Sequence, residues 1–282
     1  MNDLAKIIIL FVLLSLFVII TGSVLGLIYA IPSGNVAEIR IEGDIVSTSD
    51  LLSGGVSSDA IISQIKTALS NPNVEAILLS INSPGGMVVA SKEVAEYVKS
   101  INKTVVAQIR EIGASGAYLI AAAADYIICD NLSITGSIGV TDSYLEFAGT
   151  MTKYGVEYNR LVTGEHKDIG SQFRNMTAEE RDIIMGLVNE SFSYFLNFVT
   201  ERRNLTEETI TLISDGRIIG GSQAYSLGLV DELGGINEVK RYLSSKGIEE
   251  ITIDDYSSST NIIPDIRNLL GFKTDLNIPS FN

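Results

Sequence analysis

The sequence predicts an α/β fold in which a parallel sheet is flanked by helices and preceded by one N-terminal transmembrane helix. Three observations predict it: an uncharged apolar run at residues 7–31, further apolar β-branched runs along the chain, and helix-like segments between those runs. Repeated strand–helix–strand spacing is typical of a parallel sheet covered by helices. A chain of 282 residues suits one or two domains with a sizeable core.

The N-terminal segment has the length of a membrane anchor. Residues 7–31 carry no charge, and about 20 apolar residues suffice to cross a bilayer. The alternative is a cleaved signal peptide, whose apolar region is about 7–15 residues and therefore shorter. We expect a retained anchor over residues 1–34. Because Lys6 precedes the span and only Arg40 follows closely, the positive-inside rule favours a single-pass protein of the cell membrane, with residues 35–282 extracytoplasmic.

Composition excludes several classes of function. The chain has 34 acidic and 20 basic residues, a net charge of −14, and such a surface repels nucleic acid. The single cysteine, Cys129, cannot form an intramolecular disulfide, and its apolar surroundings predict a buried position. With one histidine, His166, and no His/Cys cluster, we expect neither a metal site nor a cofactor.

Periodicity predicts the elements beyond the anchor. Strands are expected at 36–41, 76–81, 104–109, 126–130 and 133–140, and helices at 59–69, 88–100, after Ser115, at 178–202, from Thr206 and at 222–228. Thr177 and Glu180 form a capping box that starts the long helix, whose aromatic face is interpreted as core or subunit contact. We expect a folded domain at residues 35–256 and a loosely ordered tail at 257–282, which is rich in Ser, Thr and Asn.

Two glycine-bearing turns, 82–86 and 113–116, follow predicted strands. In open α/β sheets the functional site lies at the carboxyl ends of the strands. The second turn carries Ser115 between small residues, but a serine is a weak nucleophile until a base removes its proton. Two residues adjacent in sequence could be that base: His166 in a triad or Lys167 in a dyad. A lysine can serve because loss of hydration favours its neutral amine. Spacing alone leaves both open.

Five motifs occur in order between residues 36 and 243. They are Asn82-Ser-Pro-Gly-Gly86, Gly113-Ala-Ser-Gly-Ala-Tyr118, Thr135-Gly-Ser-Ile-Gly139, Lys167-Asp-Ile-Gly-Ser171, and Asp215-Gly-Arg with Gly228-Leu-Val-Asp-Glu232. Together they resemble the signal peptide peptidase A family, serine peptidase family S49, in its short single-domain form. The first motif also occurs in Clp-type peptidases, and the resemblance implies a crotonase/Clp-like sheet.

The resemblance implies a role for each matched position. Ser115 corresponds to the nucleophile, Lys167 to the general base, Ser137 to the hydroxyl that orients the lysine amine, and Gly85, Gly86 and Gly116 to the amides of the oxyanion hole. His166 then has no assigned role, and Tyr118 is interpreted as core or pocket wall. A neutral amine requires that Lys167 be desolvated and that the carboxylates of Glu165 and Asp168 point elsewhere.

The implied function is that of a membrane-anchored serine endopeptidase. It would hydrolyse cleaved signal peptides and other unfolded segments near the membrane, as a ring-like homo-oligomer whose sites are shared between protomers. Two alternatives remain: a crotonase-type acyl-CoA enzyme, which uses carboxylate bases and needs neither Ser115 nor Lys167, and a catalytically silent membrane scaffold. Loss of activity in Ser115→Ala would exclude the acyl-CoA enzyme. Labelling by a serine-reactive probe that is lost in Ser115→Ala and Lys167→Ala would exclude the silent scaffold.

Overall fold

The structure, a computed structural model, describes residues 12–17, 34–48 and 55–257. The predicted anchor at 1–34 and tail at 257–282 lie almost wholly outside the described residues, so both stay predictions, as do the domain boundaries that they define. Of the anchor, the structure describes a short helix, α1, at residues 12–17. No helix in the described ranges is both long and apolar enough to cross a membrane.

A mostly parallel sheet forms the centre of the fold. The described strands are β1 (Val36–Glu42), β2 (Ile45–Val46), β3 (Val56–Ser57), β4 (Ala76–Ser83), β5 (Thr104–Ala114), β6 (Tyr126–Cys129), β7 (Ile134–Gly136), β8 (Ile218–Gly220), β9 (Glu232–Leu233) and β10 (Ile253–Asp255). The strand order β10-β1-β4-β5-β6-β9 is parallel throughout. Strand β7 pairs in parallel with the end of β5 and antiparallel with β8, and β2 and β3 form a separate pair. The predicted parallel α/β sheet is confirmed.

Helices cover both faces of this sheet. They are α2 (Ser58–Ser70), α3 (Val88–Lys99), α4 (Gly116–Ala123), α5 (Ala148–Lys153), α6 (Ala178–Arg203), α7 (Glu207–Ile213), α8 (Gly221–Ser226) and α9 (Ile236–Ser245). The predicted capping box of α6 is present: the Thr177 hydroxyl accepts from the Glu180 amide at 3.1 Å, and the Glu180 carboxylate accepts from the Thr177 amide at 3.0 Å.

Strand β4 shows why the sheet is buried on both faces. Ile77, Leu79 and Ile81 belong to the larger core, which includes buried residues of α2, α3, α4 and α6. Ala76 and Leu78, pointing the other way, join the smaller core with Val239 and Leu243 of α9. A continuous apolar run is therefore required here, whereas a strand with one wet face alternates.

Two strands differ from their predicted lengths at the same place in the fold. Strand β5 continues to Ala114, beyond the predicted end at 109, because Ile112–Ala114 pair with β7. The predicted strand at 133–140 stops at Gly136, because Ser137 has φ 51° and leaves the extended conformation. Both differences bring Ser137 beside the end of β5, where α4 begins.

Candidate active site

Ser115 occupies the junction between β5 and α4 in an unfavourable backbone conformation. Its φ of 52° and ψ of −127° lie outside the regions that L-residues prefer, a strain of about 1–3 kcal/mol. Two hydrogen bonds hold it: the Ser115 amide donates to the Gly136 carbonyl at 2.9 Å, and its carbonyl accepts from the Leu119 amide at 3.0 Å. The strand and the helix thus fix the serine at a sharp turn whose side chain lines a pocket.

The 82–86 turn packs directly against this serine. Gly85 has φ 108°, and a Cβ built there would come within 2.8 Å of both the Gly116 nitrogen and the Ser115 Cβ. A Cβ on Gly86 would approach the Ile45 carbonyl oxygen to 2.0 Å. Only glycine allows these backbones to come so close.

The three glycine amides differ in availability. The Gly85 amide donates to the Ser83 hydroxyl at 3.1 Å and is therefore engaged. Among the described residues, the amides of Gly86 and Gly116 have no hydrogen-bond acceptor, and Gly116 is the first residue of α4, where amides lack intrahelical partners. A Cβ on Gly116 would lie 3.5 Å from the Gly86 nitrogen, so the two amides are close neighbours. Within the described ranges, the Gly86 and Gly116 amides are therefore unpaired, whereas the Gly85 amide already has an acceptor.

Ser137 lies in a second turn, directly after β7, in the left-handed backbone region. It has φ 51°, and its amide donates to the Arg217 carbonyl at 2.8 Å. The preceding strand β7 is fixed to β5 by the buried Thr135 hydroxyl, which donates to the Gly113 carbonyl at 2.7 Å. Ser115 and Ser137 line the same pocket.

That pocket has a volume of about 600 Å³ and is lined by both apolar and polar residues. The apolar residues are Val88, Val140, Met185, Val188 and Phe192, and the polar ones include Ser115, Ser137, Thr141, Asn189, Ser214 and Asp215. Three of the apolar residues come from α6 and line the pocket, and for this part of the helix the interpretation of the aromatic face as core or subunit contact stays a prediction. It holds for Phe195 and Val199, which are buried in the core. Helical periodicity identifies a shared face but not the neighbour that this face meets.

Lys167 lies apart from this pocket within one chain. Lys167 is exposed and belongs to a turn, residues 164–170, here called the lysine turn. It is not among the described residues that line the Ser115 pocket. His166 is equally absent from that lining, and its Nε2 lies 3.6 Å from a carboxylate oxygen of Glu179. The predicted desolvation of Lys167 is therefore not provided by a single chain.

The carboxylate next to Lys167 is bound by two arginines that the sequence did not single out. Asp168 accepts from Arg160 Nε at 2.8 Å and from Arg174 Nε at 2.9 Å. These hydrogen bonds, from Arg174 first and Arg160 second, hold the pKa of the Asp168 carboxyl well below its usual range. As expected, Asp168 is directed at other partners, and no ion pair of Lys167 occurs within the described ranges.

The Gly228–Glu232 motif lies behind the site and supports it. Asp231 pairs with Arg203 at 2.7 Å and accepts from the Ile127 amide at 2.7 Å. Tyr118 is fully buried and donates to the Leu229 carbonyl at 2.7 Å, and burial raises the pKa of its phenol. Tyr118 is therefore a core residue, and Cys129 is buried as predicted.

Comparison with known proteins identifies the family. A family model for peptidase family S49 matches residues 98–247. The chain belongs to peptidase family S49. A family model for Clp protease also matches this chain, over residues 42–129, in agreement with the Clp-like sheet.

Relatives of this S49 chain are found in archaea and bacteria. A protein of Methanocaldococcus jannaschii named as a protease is 42% identical over 57% of this chain and 53% of its own length. A protein of Synechocystis, also named as a protease, is 32% identical over 86% and 84%. Protease 4 of Haemophilus influenzae is 33% identical over 74% of this chain but 34% of its own length. The chain thus spans about half of the archaeal relative and about a third of the Haemophilus protein. A solved membrane-bound stomatin-specific protease aligns over 80% of this chain and 98% of its own, with a TM-score of 0.49 and 13% identity, a likeness too weak to support any statement about function.

Proposed function

We propose that this chain is a membrane-anchored serine endopeptidase that uses Ser115 as nucleophile and Lys167 of a second copy as general base. The observation that carries the proposal is the strained Ser115, held beside two unpaired amides in a large pocket. Membership of peptidase family S49 supports the reaction class. The Ser137 hydroxyl, which belongs to a residue lining the same pocket, is the group proposed to orient the incoming amine.

The geometry suits acyl transfer through an oxyanion. As Ser115 Oγ attacks a peptide carbonyl, its proton passes to the neutral amine of Lys167, and the carbonyl oxygen becomes negative. The Gly86 and Gly116 amides donate to that oxygen, and one such donor typically contributes about 2.7–4 kcal/mol. The ammonium then protonates the leaving amine. Water, deprotonated by the same lysine, hydrolyses the acyl-enzyme and restores Ser115.

A second copy is proposed because the base is missing from the pocket of the single chain. Lys167 is exposed in a segment, residues 141–176, that presents large apolar side chains to solvent, among them Leu145 at 70%, Tyr154 at 72% and Leu161 at 95% exposure. Contiguous exposed apolar surface commonly marks a protein interface. Docking this segment on a neighbouring copy would bury it and desolvate the amine, as expected of a ring-like homo-oligomer with shared sites.

The proposed substrates are extended apolar peptide segments, such as cleaved signal peptides and other unfolded stretches. The apolar residues of the pocket lining support this class. The uncharged run at residues 7–31 supports an anchor that would hold the extracytoplasmic site close to such substrates.

Labelling with a fluorophosphonate probe tests the proposal. Wild type should react, whereas Ser115→Ala and Lys167→Ala should not react and should not hydrolyse an unfolded protein. Two controls are matched to the lysine: Lys153→Ala, an exposed lysine of the same segment, and His166→Ala, the neighbour that the triad would use. Both should retain labelling and hydrolysis. Full hydrolysis by Lys167→Ala, or loss in His166→Ala alone, would contradict the proposal.

A further inference from the structure

Two arginines bind the lysine turn from both sides of Lys167. Arg160 Nη2 donates to the Glu165 carbonyl, two residues before the lysine, and Arg174 Nη2 donates to the Asp168 carbonyl at 3.3 Å, one residue after it. Both guanidinium groups also bind the Asp168 carboxylate. The same pair of side chains thus fixes the backbone on both sides of Lys167 and the carboxylate of Asp168, the next residue.

Arg174 extends this arrangement to the long helix. Its Nη1 donates to Glu180 Oε2 at 2.8 Å, and that same carboxylate accepts from the Thr177 amide in the capping box of α6. Glu180 is buried, with a side chain 3% exposed. At the far end of α6, Arg202 donates to the carbonyls of Ala123 and Ala124, where α4 ends. A helix of 26 residues, about 39 Å long, therefore connects the lysine turn with the helix that starts at Ser115.

The charges around the lysine turn come from three segments. They are Arg160 before the turn, Glu165, His166 and Asp168 within it, and Arg174, Glu179 and Glu180 after it. The carboxylate of Asp168 is the one held between two cations. If it were released, an anion would stand one residue from Lys167 and would favour the charged ammonium over the neutral amine.

We propose that Arg174, assisted by Arg160, is a positioning residue for the general base: it holds the lysine turn on the capping box of α6 and keeps the Asp168 carboxylate from pairing with Lys167. This inference rests on the proposed function of Lys167. Arg174 contacts no substrate and acts through the lysine turn. The network has two separable effects, one on where the amine lies and one on how readily it loses its proton.

The test is the kinetics of Arg174→Ala in the assembled full-length protein, with hydrolysis of an unfolded substrate measured across pH. We expect kcat to fall at least about tenfold with KM nearly unchanged, because misplacement of a catalytic group lowers the rate of the chemical step. In the double variant Arg160→Ala/Arg174→Ala, which releases the Asp168 carboxylate from both guanidinium groups, we also expect the rising limb of the activity–pH profile to move to higher pH. Adding Asp168→Asn should return that limb to its original position without restoring kcat.

Controls separate this role from loss of folding. Arg181→Ala, an exposed arginine on α6, should leave kcat and the profile unchanged. Should Arg174→Ala fail to assemble, Arg174→Lys keeps the charge but loses the forked hydrogen bonds, and it should lower kcat without moving the limb. An assembled Arg174→Ala with wild-type kcat, or an assembled Arg160→Ala/Arg174→Ala with an unmoved limb, overturns the inference. An inactive Lys167→Ala in the same experiment leaves the proposed function intact. Full activity in Lys167→Ala instead overturns the proposed function.

Discussion

At the scale of single residues, the site is built from backbone rather than from side chains. Ser115 and Ser137 are two of the few described non-glycine residues with positive φ. The Ser115 amide donates to the Gly136 carbonyl at the end of β7, and the Ser137 amide donates to the Arg217 carbonyl just before β8. Glycines at 85, 86 and 116 remove the Cβ atoms that would keep these turns apart. The strain is distributed over hydrogen bonds of the sheet, so the serine geometry depends on β7 and β8 as much as on its own loop.

Gly86→Ala should lower kcat at least about 100-fold, because its Cβ would meet the Ile45 carbonyl at 2.0 Å and must displace the amide beside Ser115. Gly139→Ala is the matched control: it lines the same pocket, and its Cβ would lie 3.4 Å from the nearest heavy atom, the Gly216 Cα. Steady-state kinetics on folded protein, checked by circular dichroism, measures both. A kcat of Gly86→Ala as high as that of an active Gly139→Ala would show that the close approach of the Gly86 backbone is unimportant.

At the scale of elements, α6 has different tasks along its length. Its C-terminal half is a core helix through Phe195, Phe198 and Val199. Its N-terminal half lines the Ser115 pocket and carries the capping box to which the lysine turn is bound. A single helix therefore connects the core, the Ser115 pocket and the lysine turn.

The pH dependence of stability should report the Glu180 network. Hydrogen bonds from Arg174 and then from the Thr177 amide lower the pKa of Glu180 from 4.5 to about 2. A depressed carboxyl pKa stabilises the folded state above the unfolded value, and this stabilisation is lost as pH falls from 4.5 towards 2. The unfolding free energy of wild type should therefore exceed that of Glu180→Gln by a constant amount above about pH 5 and by a shrinking amount below it.

Denaturant unfolding at fixed protein concentration measures this difference. Glu190→Gln, an exposed glutamate on the same helix, is the control and should show no comparable change with pH. A difference between wild type and Glu180→Gln that stays constant through pH 3 would contradict the assignment of the carboxylate to this network.

Much of the fold follows from local pattern, whereas the surroundings of the base do not. The apolar run of β4 and the capping box of α6 are recognisable because burial and capping act within a few residues of sequence. The Ser115 turn is recognisable from its small residues. The pairing of Arg174 with Asp168 and the exposure of Lys167 depend on how an irregular segment folds back on a helix, and no periodicity encodes that.

At the scale of the whole molecule, the two groups of the proposed dyad lie on different parts of one chain. The Ser115 pocket lies at the carboxyl ends of β4 and β5, and Lys167 lies on an exposed segment outside the lining of that pocket. That segment exposes several large apolar side chains although the chain has a net charge of −14. An assembly that buries this segment would shield apolar side chains and complete each site at once.

Complementation between two inactive chains tests this account most directly. Ser115→Ala and Lys167→Ala are co-expressed with different tags, mixed assemblies are purified through both tags, and hydrolysis of an unfolded substrate is measured. If the base comes from a neighbouring copy, about a quarter of the sites in a random mixture hold both groups, so activity should return to roughly that fraction of wild type. Ser115→Ala co-expressed with the Ser115→Ala/Lys167→Ala double variant should stay inactive. A mixed assembly as inactive as its two parents would contradict a dyad shared between copies.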